Sequence, residues 1–185
     1  MDTFAARGHN NASLAEIAGR VDLPQAGVLR YFRSQALLLT SVLELRDQRD
    51  IEHLGPDRPQ GLDFPRHLVD TALRNAEREG IVRLYAVLSA ESVTGDHPAQ
   101  DYFRDRYHGL RAFVADALRE ACEPPADRAE LTGNAANAII AVMDGLQVQW
   151  LLSPESVDMA ASMDLVVTSL LATLGPGRFG PHAAG

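Results

Sequence analysis

Residues 13–32 read SLAEIAGRVDLPQAGVLRYF, and Ser34 follows shortly after. The stretch opens on S-x-x-E, Ser13 with Glu16, the capping-box pattern in which a hydroxyl and a carboxylate satisfy free donors at a helix start. Leu14, Ile17, Ala18 and Val21 recur at spacings of three and four and give one buried stripe. Val21-Asp22-Leu23-Pro24 then interrupts the helix. Aspartate tolerates the left-handed backbone at moderate cost, and proline suits the first position of a new helix because its missing N–H has no partner there anyway. A second helix is expected from about Gln25 to Phe32, with Val28, Leu29 and Phe32 packed inward.

Gln25, Ala26, Gly27, Arg30 and Tyr31 are left to face outward. Glutamine can donate to and accept from base edges, alanine and glycine let a backbone approach closely, and arginine and tyrosine reach phosphates. Ser34 caps a longer helix expected to run to about Leu54, whose first N–H groups can also hold a phosphate. Spacing alone leaves two readings open: a hairpin that reads DNA, and a hairpin within an ordinary helical bundle.

Working outward, Phe4, Ala5 and Ala6 before Gly8 look like the last turns of a helix stopped by glycine. On the other side, GPDRPQGLDFP at 55–65 breaks the chain. From Pro65 onward the periodicity is helical, with no alternating strand. Leu68, Ala72, Leu73 and Ala76 mark a helix expected to stop near Gly80, and Ile81, Leu84, Tyr85 and Leu88 another ending near Gly95. His97, in the turn Gly95-Asp96-His97-Pro98, is taken as a turn or capping residue. A long amphipathic helix on Phe103, Tyr107, Leu110, Val114 and Leu118 follows to about Ala121, and Pro124-Pro125 ends it.

The segments 126–152 and 157–174 each carry two apolar stripes; in the first they are Leu131, Ala135, Ala138, Val142 and Leu146, and Ala136, Ile140, Met143, Gln147 and Trp150. A helix with two apolar faces needs two partners. The second partner is expected to be the same helix pair of another copy, in a two-fold four-helix interface; burial wholly within one monomer is the alternative. Residues 176–185 are expected to be a disordered tail.

With 185 residues the chain can bury roughly 70% of its unfolded surface. A hydrophobic fraction of 46% and a charged fraction of 23% fit a soluble globular protein. Cys122 is the single cysteine, so no internal disulfide can form; it is read as a small buried apolar residue. Without a basic-then-apolar leader, or about 18 uninterrupted apolar residues, the expected location is cytoplasmic with no membrane contact. Net charge is −8, yet residues 1–50 carry six arginines against six acids while 51–185 carry eleven against nineteen. A neutral head on an acidic body implies modest non-specific affinity for nucleic acid.

No G-x-S-x-G, P-loop or dinucleotide-binding glycine pattern is present, and Cys122 has no evident histidine partner. The six histidines show no metal-ligand spacing, and acidic pairs such as Asp101 with Asp105 read as solvated helix faces. No catalytic residue, metal or cofactor is therefore expected, and no enzymatic activity.

Gly8, then Ser13-Leu14-Ala15-Glu16-Ile17-Ala18, then Leu23-Pro24-Gln25-Ala26-Gly27-Val28-Leu29-Arg30-Tyr31-Phe32 and Ser34 resemble the N-terminal domain of the tetracycline-repressor (TetR) family. The match covers about Phe4 to Leu45, with a shortened first helix. The resemblance implies an all-α protein: a helix-turn-helix DNA-binding domain at 1–54, a linker at 55–65, and a helical ligand-binding and dimerisation domain at 66–175. It implies double-stranded DNA, a small-molecule effector and a second copy of the chain as partners, and a ligand-responsive repressor on a palindromic operator as the function. DNA contacts fall on Ser13, Gln25, Ala26, Gly27, Arg30, Tyr31, Ser34 and Gln35. Pocket positions among the middle helices are Leu84, Leu88, Glu91, Phe103, Tyr107, Asn137, Met143, Gln147 and Trp150. Only seven residues precede Gly8, and neutral Gln35 stands where the family commonly has lysine. These departures support an alternative, a helical ligand-binding or interaction protein whose DNA-binding head is weakened or inactive.

Overall fold

The computed structural model describes residues 1–54, 59, 63–122 and 130–175. Among them the regular elements are helices: α1 Asp2–Arg7, α2 Leu14–Arg20, α3 Gln25–Tyr31, α4 Gln35–Leu54, α5 Asp63–Ala76, α6 Glu79–Glu91, α7 Gln100–Cys122, α8 Leu131–Leu152 and α9 Met159–Leu174. A 3-10 turn, Pro154–Ser156, precedes α9. Most of the expected linker at 55–65, the start of the 126–152 segment and the expected tail at 176–185 lie outside the described residues.

Local chemistry sets the helix ends. Ser13 Oγ accepts from the Glu16 N–H at 3.1 Å, Ser34 Oγ from Leu37 N–H at 3.2 Å, and Asp158 Oδ1 from Ala161 N–H at 2.9 Å. Each such cap is worth about 1 kcal/mol. The Glu16 carboxylate is taken up by Arg7 at 3.0 Å and Arg20 at 3.5 Å, so charge pairs hold the side chain that a full capping box turns back on its own cap. Gly8 ends α1 at φ +68, while Asp22 and Asp96 make their turns at φ +52 and +63, the left-handed conformation that aspartate tolerates.

Three expectations are corrected. Pro24 is the N-cap of α3 with ψ 150, one residue before the first helical position; its carbonyl accepts from Gly27 and Val28, and its missing N–H is equally harmless there. Leu29 is 39% exposed, because a seven-residue helix here buries only Val28 fully. Gly80 does not stop a helix. The break falls at Glu77 and Arg78, and Gly80 lies within the first turn of α6, open on all sides and with no conformation that demands glycine.

The helices gather into two compact units. One holds α1 to α4, α6 and residues 100–106 of α7; the other holds α5, residues 107–122 of α7, α8 and α9. In the first, α1 packs on α6 and α2 on α3, and Phe4, Leu39, Leu43, Leu84 and Leu88 are fully buried. In the second, α9 packs on α5 and α8 around Phe64, Leu118, Ile139, Met163 and Leu174. Burying a side chain of this size stabilises by about 1.5–3 kcal/mol. Phe64 meets Phe113 edge-on at 5.4 Å. Cys122 is buried in the same core, where burial pushes its thiol pKa up, in keeping with its reading as a small apolar residue.

α8 is long and apolar enough to cross a membrane by length and composition alone. It buries Thr132, Ala135, Ala136, Ile139 and Leu146, while Val148 and Leu152 stay exposed on it at 45% and 81% and Leu165 on α9 at 69%. Apolar side chains therefore remain uncovered on both C-terminal helices of one chain.

Candidate nucleic-acid interface and effector region

α3 exposes most of the side chains expected to face outward. Val28 anchors the helix, Gln25, Ala26, Arg30 and Tyr31 are exposed, and Gly27 is half-buried against Pro24. Tyr31 is 75% exposed, and Arg20 and Arg33 add exposed guanidinium groups before and after the helix. Arg33, which directly precedes the Ser34 cap, is not among the expected contacts. The Ser13 and Ser34 hydroxyls are engaged as caps, so anything they bring to a phosphate comes through the helix starts they fix.

Gln35 is placed differently from its expected role. Its side-chain amide points inward and donates to the His9 carbonyl at 3.0 Å and the Ala12 carbonyl at 2.9 Å. It fastens the turn between α1 and α2 to the start of α4, which follows α3 in the chain. Partners 26 and 23 residues away leave no local mark in the sequence.

The same turn is held from the other side by α6. Glu91 Oε2 accepts the His9 N–H at 2.7 Å. Gly8 holds φ +68, a conformation that favours glycine, and a Cβ there would fall 1.9 Å from Glu91 Oε1, so any larger residue must push the carboxylate end of Glu91 aside. The His9 ring stacks on Phe4 at 6.3 Å and meets His97 edge-on at 5.3 Å. Burial, and then the neighbouring His97, hold the His9 pKa below its ordinary value, with Glu91 pulling the other way. His97 acts locally as the turn reading expects: its Nδ1 accepts from the Ala99 N–H at 3.2 Å.

A second junction joins α4 to α6 and α7. The Asp47 carboxylate accepts from Tyr85 Oη at 2.8 Å, from Tyr102 Oη and from Arg106, and lies 3.3 Å from Arg46. The two tyrosine hydroxyls are 2.6 Å apart, and the Arg46 guanidinium sits 3.9 Å over the Tyr85 ring. Burial pushes both phenols above their usual pKa, so they stay protonated donors. Sequence reasoning missed this group, whose members are brought together only by the fold.

The expected pocket positions divide between the units. Leu84, Leu88 and Phe103 are buried in the first, where Phe103 meets Tyr85 and Tyr102 edge-on. Glu91 is engaged at the His9 turn. In the second unit Tyr107, Met143, Gln147 and Trp150 are half-buried and Asn137 is exposed; Tyr107 Oη donates to Asp144 Oδ2 at 2.7 Å. A cavity of about 320 Å³ lies elsewhere in this unit, lined by Ala72, Leu73, Ala76, Pro154, Val157 and Met159 among others, and by none of the nine expected positions. Among the described residues no group of three or more histidine, cysteine, aspartate or glutamate side chains is arranged to hold a metal ion.

Residues 66–176 match the family model described as "BetI-type transcriptional repressor, C-terminal". Over 167 residues the chain is 22% identical to an "Uncharacterized HTH-type transcriptional regulator in dhlA 5'region" of Xanthobacter autotrophicus, a match spanning 85% of this chain and 79% of that protein. The fold is similar to the crystal structure of a transcriptional regulator from Rhodococcus sp. Rha1, with a TM-score of 0.75 at 18% identity over 95% of this chain and 94% of the other. Since the family model spans more than half of the sequence, and a helix-turn-helix head precedes the matched region, the chain belongs to the TetR family of transcriptional regulators.

Proposed function

We propose that the chain is a ligand-responsive repressor that binds a palindromic operator as a homodimer and is released by a small molecule. The observation that carries this reading is the exposed face of Gln25, Ala26, Arg30 and Tyr31 on α3, presented behind a capped α2 and a left-handed Asp22 turn. Two such helices enter successive major grooves, with half-sites about one helical turn or somewhat more apart. Gln25 reads base edges; Arg30 and Tyr31 hold phosphates. The uncovered apolar side chains of α8 and α9 support the dimer, because a second copy of the same helix pair takes them out of water. The half-buried set Tyr107, Met143, Gln147 and Trp150 is the part of the expected pocket still open to an effector. An effector that binds a body conformation with wrongly spaced heads lowers operator affinity through its preference for that state.

The test is a salt titration. Arg30→Ala is expected to weaken binding across all DNA sequences and to reduce the slope of log K against log salt by about 1 per head. An unchanged slope removes Arg30 from the phosphate contacts. The alternative of a weakened head is favoured by the inward Gln35 amide and the neutral head. A dimer that retains no specific genomic fragment at low salt, while still binding small molecules, decides for it.

A further inference from the structure

The peptide groups on either side of His9 are held by two elements at once: Glu91 at the end of α6 takes its N–H, and Gln35 at the start of α4 takes its C=O. The ring between them is unfinished in hydrogen-bonding. His9 Nδ1 and His97 Nε2 are both buried with no hydrogen-bond partner, and the groups that can charge against His9 are Glu91 from α6 and His97 from the α6–α7 turn. Gln35, facing it from α4, is neutral, and Phe4, from α1, is apolar.

We propose that this turn is a proton-operated clamp: with His9 neutral it fixes the DNA-reading helices to α6, and protonation of His9 releases them, so that operator affinity falls on acidification. The proposal rests on the DNA-binding reading above. A buried Nδ1 lone pair without a partner is tolerable; the same nitrogen as a charged N–H needs an acceptor or water, and the turn must open to supply one. His97 offers no relief. Its Nδ1 already accepts from Ala99, so its neutral form carries the proton on Nε2, 3.5 Å from Glu91 Oε2, and protonating Nδ1 sets two donors against each other.

The sign follows from the lowered pKa of His9. The clamp is at full strength above the ordinary histidine value of about 6.5 and is lost as pH falls below it, because the released state binds the extra proton. With one proton linked per head, affinity per head drops by up to about tenfold for each pH unit between the ordinary histidine value and the lowered one, and levels off below it.

The experiment measures binding of the full chain to a selected DNA fragment from pH 8 to 5.5 at constant ionic strength. The wild type is expected to weaken on acidification. His9→Phe keeps the ring against Phe4 but has no nitrogen to protonate, and is expected to match the wild type at pH 8 and stay flat below it. Glu91→Gln keeps an acceptor for the His9 N–H and removes a charge that favours protonation within the closed turn, which widens the gap between closed and released states, so its release midpoint moves to higher pH. A structural role for Glu91 alone does not move the midpoint. NMR without DNA supplies a readout that needs no His9 variant: the Gln35 side-chain amide signals are expected to shift with the His9 titration. If no DNA is bound at any pH while Gln35 follows His9, the DNA reading fails and the clamp stands. Wild-type affinity that is flat or rises on acidification, or Gln35 signals that ignore His9, overturns the proposal.

Discussion

Gly8 carries two demands at once, a φ of +68 and the Glu91 carboxylate where a side chain would begin. Gly8→Ala is expected to lower the unfolding free energy by about 2–3 kcal/mol, from left-handed strain plus displacement of Glu91, measured by urea denaturation at unchanged m-value. Asp22 is the contrasting case: it holds φ +52 in an exposed turn, so Asp22→Gly is expected to be neutral or to stabilise by up to about 1 kcal/mol. Both positions were legible from sequence, because backbone preference is a property of the residue and its neighbours. Gln35 and Asp47 were not. Apart from Arg46 beside Asp47, their partners lie 23 to 59 residues away, and a glutamine at a helix start reads the same whether it faces a phosphate or a carbonyl.

Among the elements, periodicity together with caps and glycine or proline breaks gave the order and approximate span of the described helices, and errors fell at ends where a residue type has more than one use. Gly80 is the instructive one: glycine can stand inside a helix as well as past its end, and here it occupies a first helical turn. The α2 cap is a direct measure of how far local chemistry supports the head. Ser13→Ala is expected to cost about 1 kcal/mol, whereas Ser13→Asp should retain most of that stability. The junction of α4 with α6 and α7 depends on Asp47. Asp47→Asn leaves Arg46 and Arg106 facing a neutral group and is expected to cost about 2 kcal/mol, less than a fully buried pair because its side chain keeps 25% exposure. Equal stability of this variant in chemical denaturation contradicts the role given to the carboxylate.

For the whole molecule, the all-helical architecture and the helix-turn-helix were readable from pattern and capping, while effector positions are harder to read, because apolar residues at helical spacing look the same in a core and in a pocket. Leu84, Leu88 and Phe103, named as pocket positions, are buried side chains here. Assembly is testable through the outward side chains of the C-terminal helices. Val148→Glu and Leu165→Glu, each placed where a side chain is already exposed in one chain, are expected to leave the helix content intact and convert a dimer to a monomer in sedimentation. DNA affinity should fall with them, since two modest heads at fixed spacing bind jointly where one does not. The most direct measurement is selection of the full-length chain against random double-stranded DNA at low salt, followed by sequencing. The account predicts enrichment of a two-fold symmetric motif with half-sites about one helical turn or somewhat more apart, reduced by Arg30→Ala and by either glutamate substitution. Recovery of no enriched sequence, or of a motif without two-fold symmetry, contradicts it.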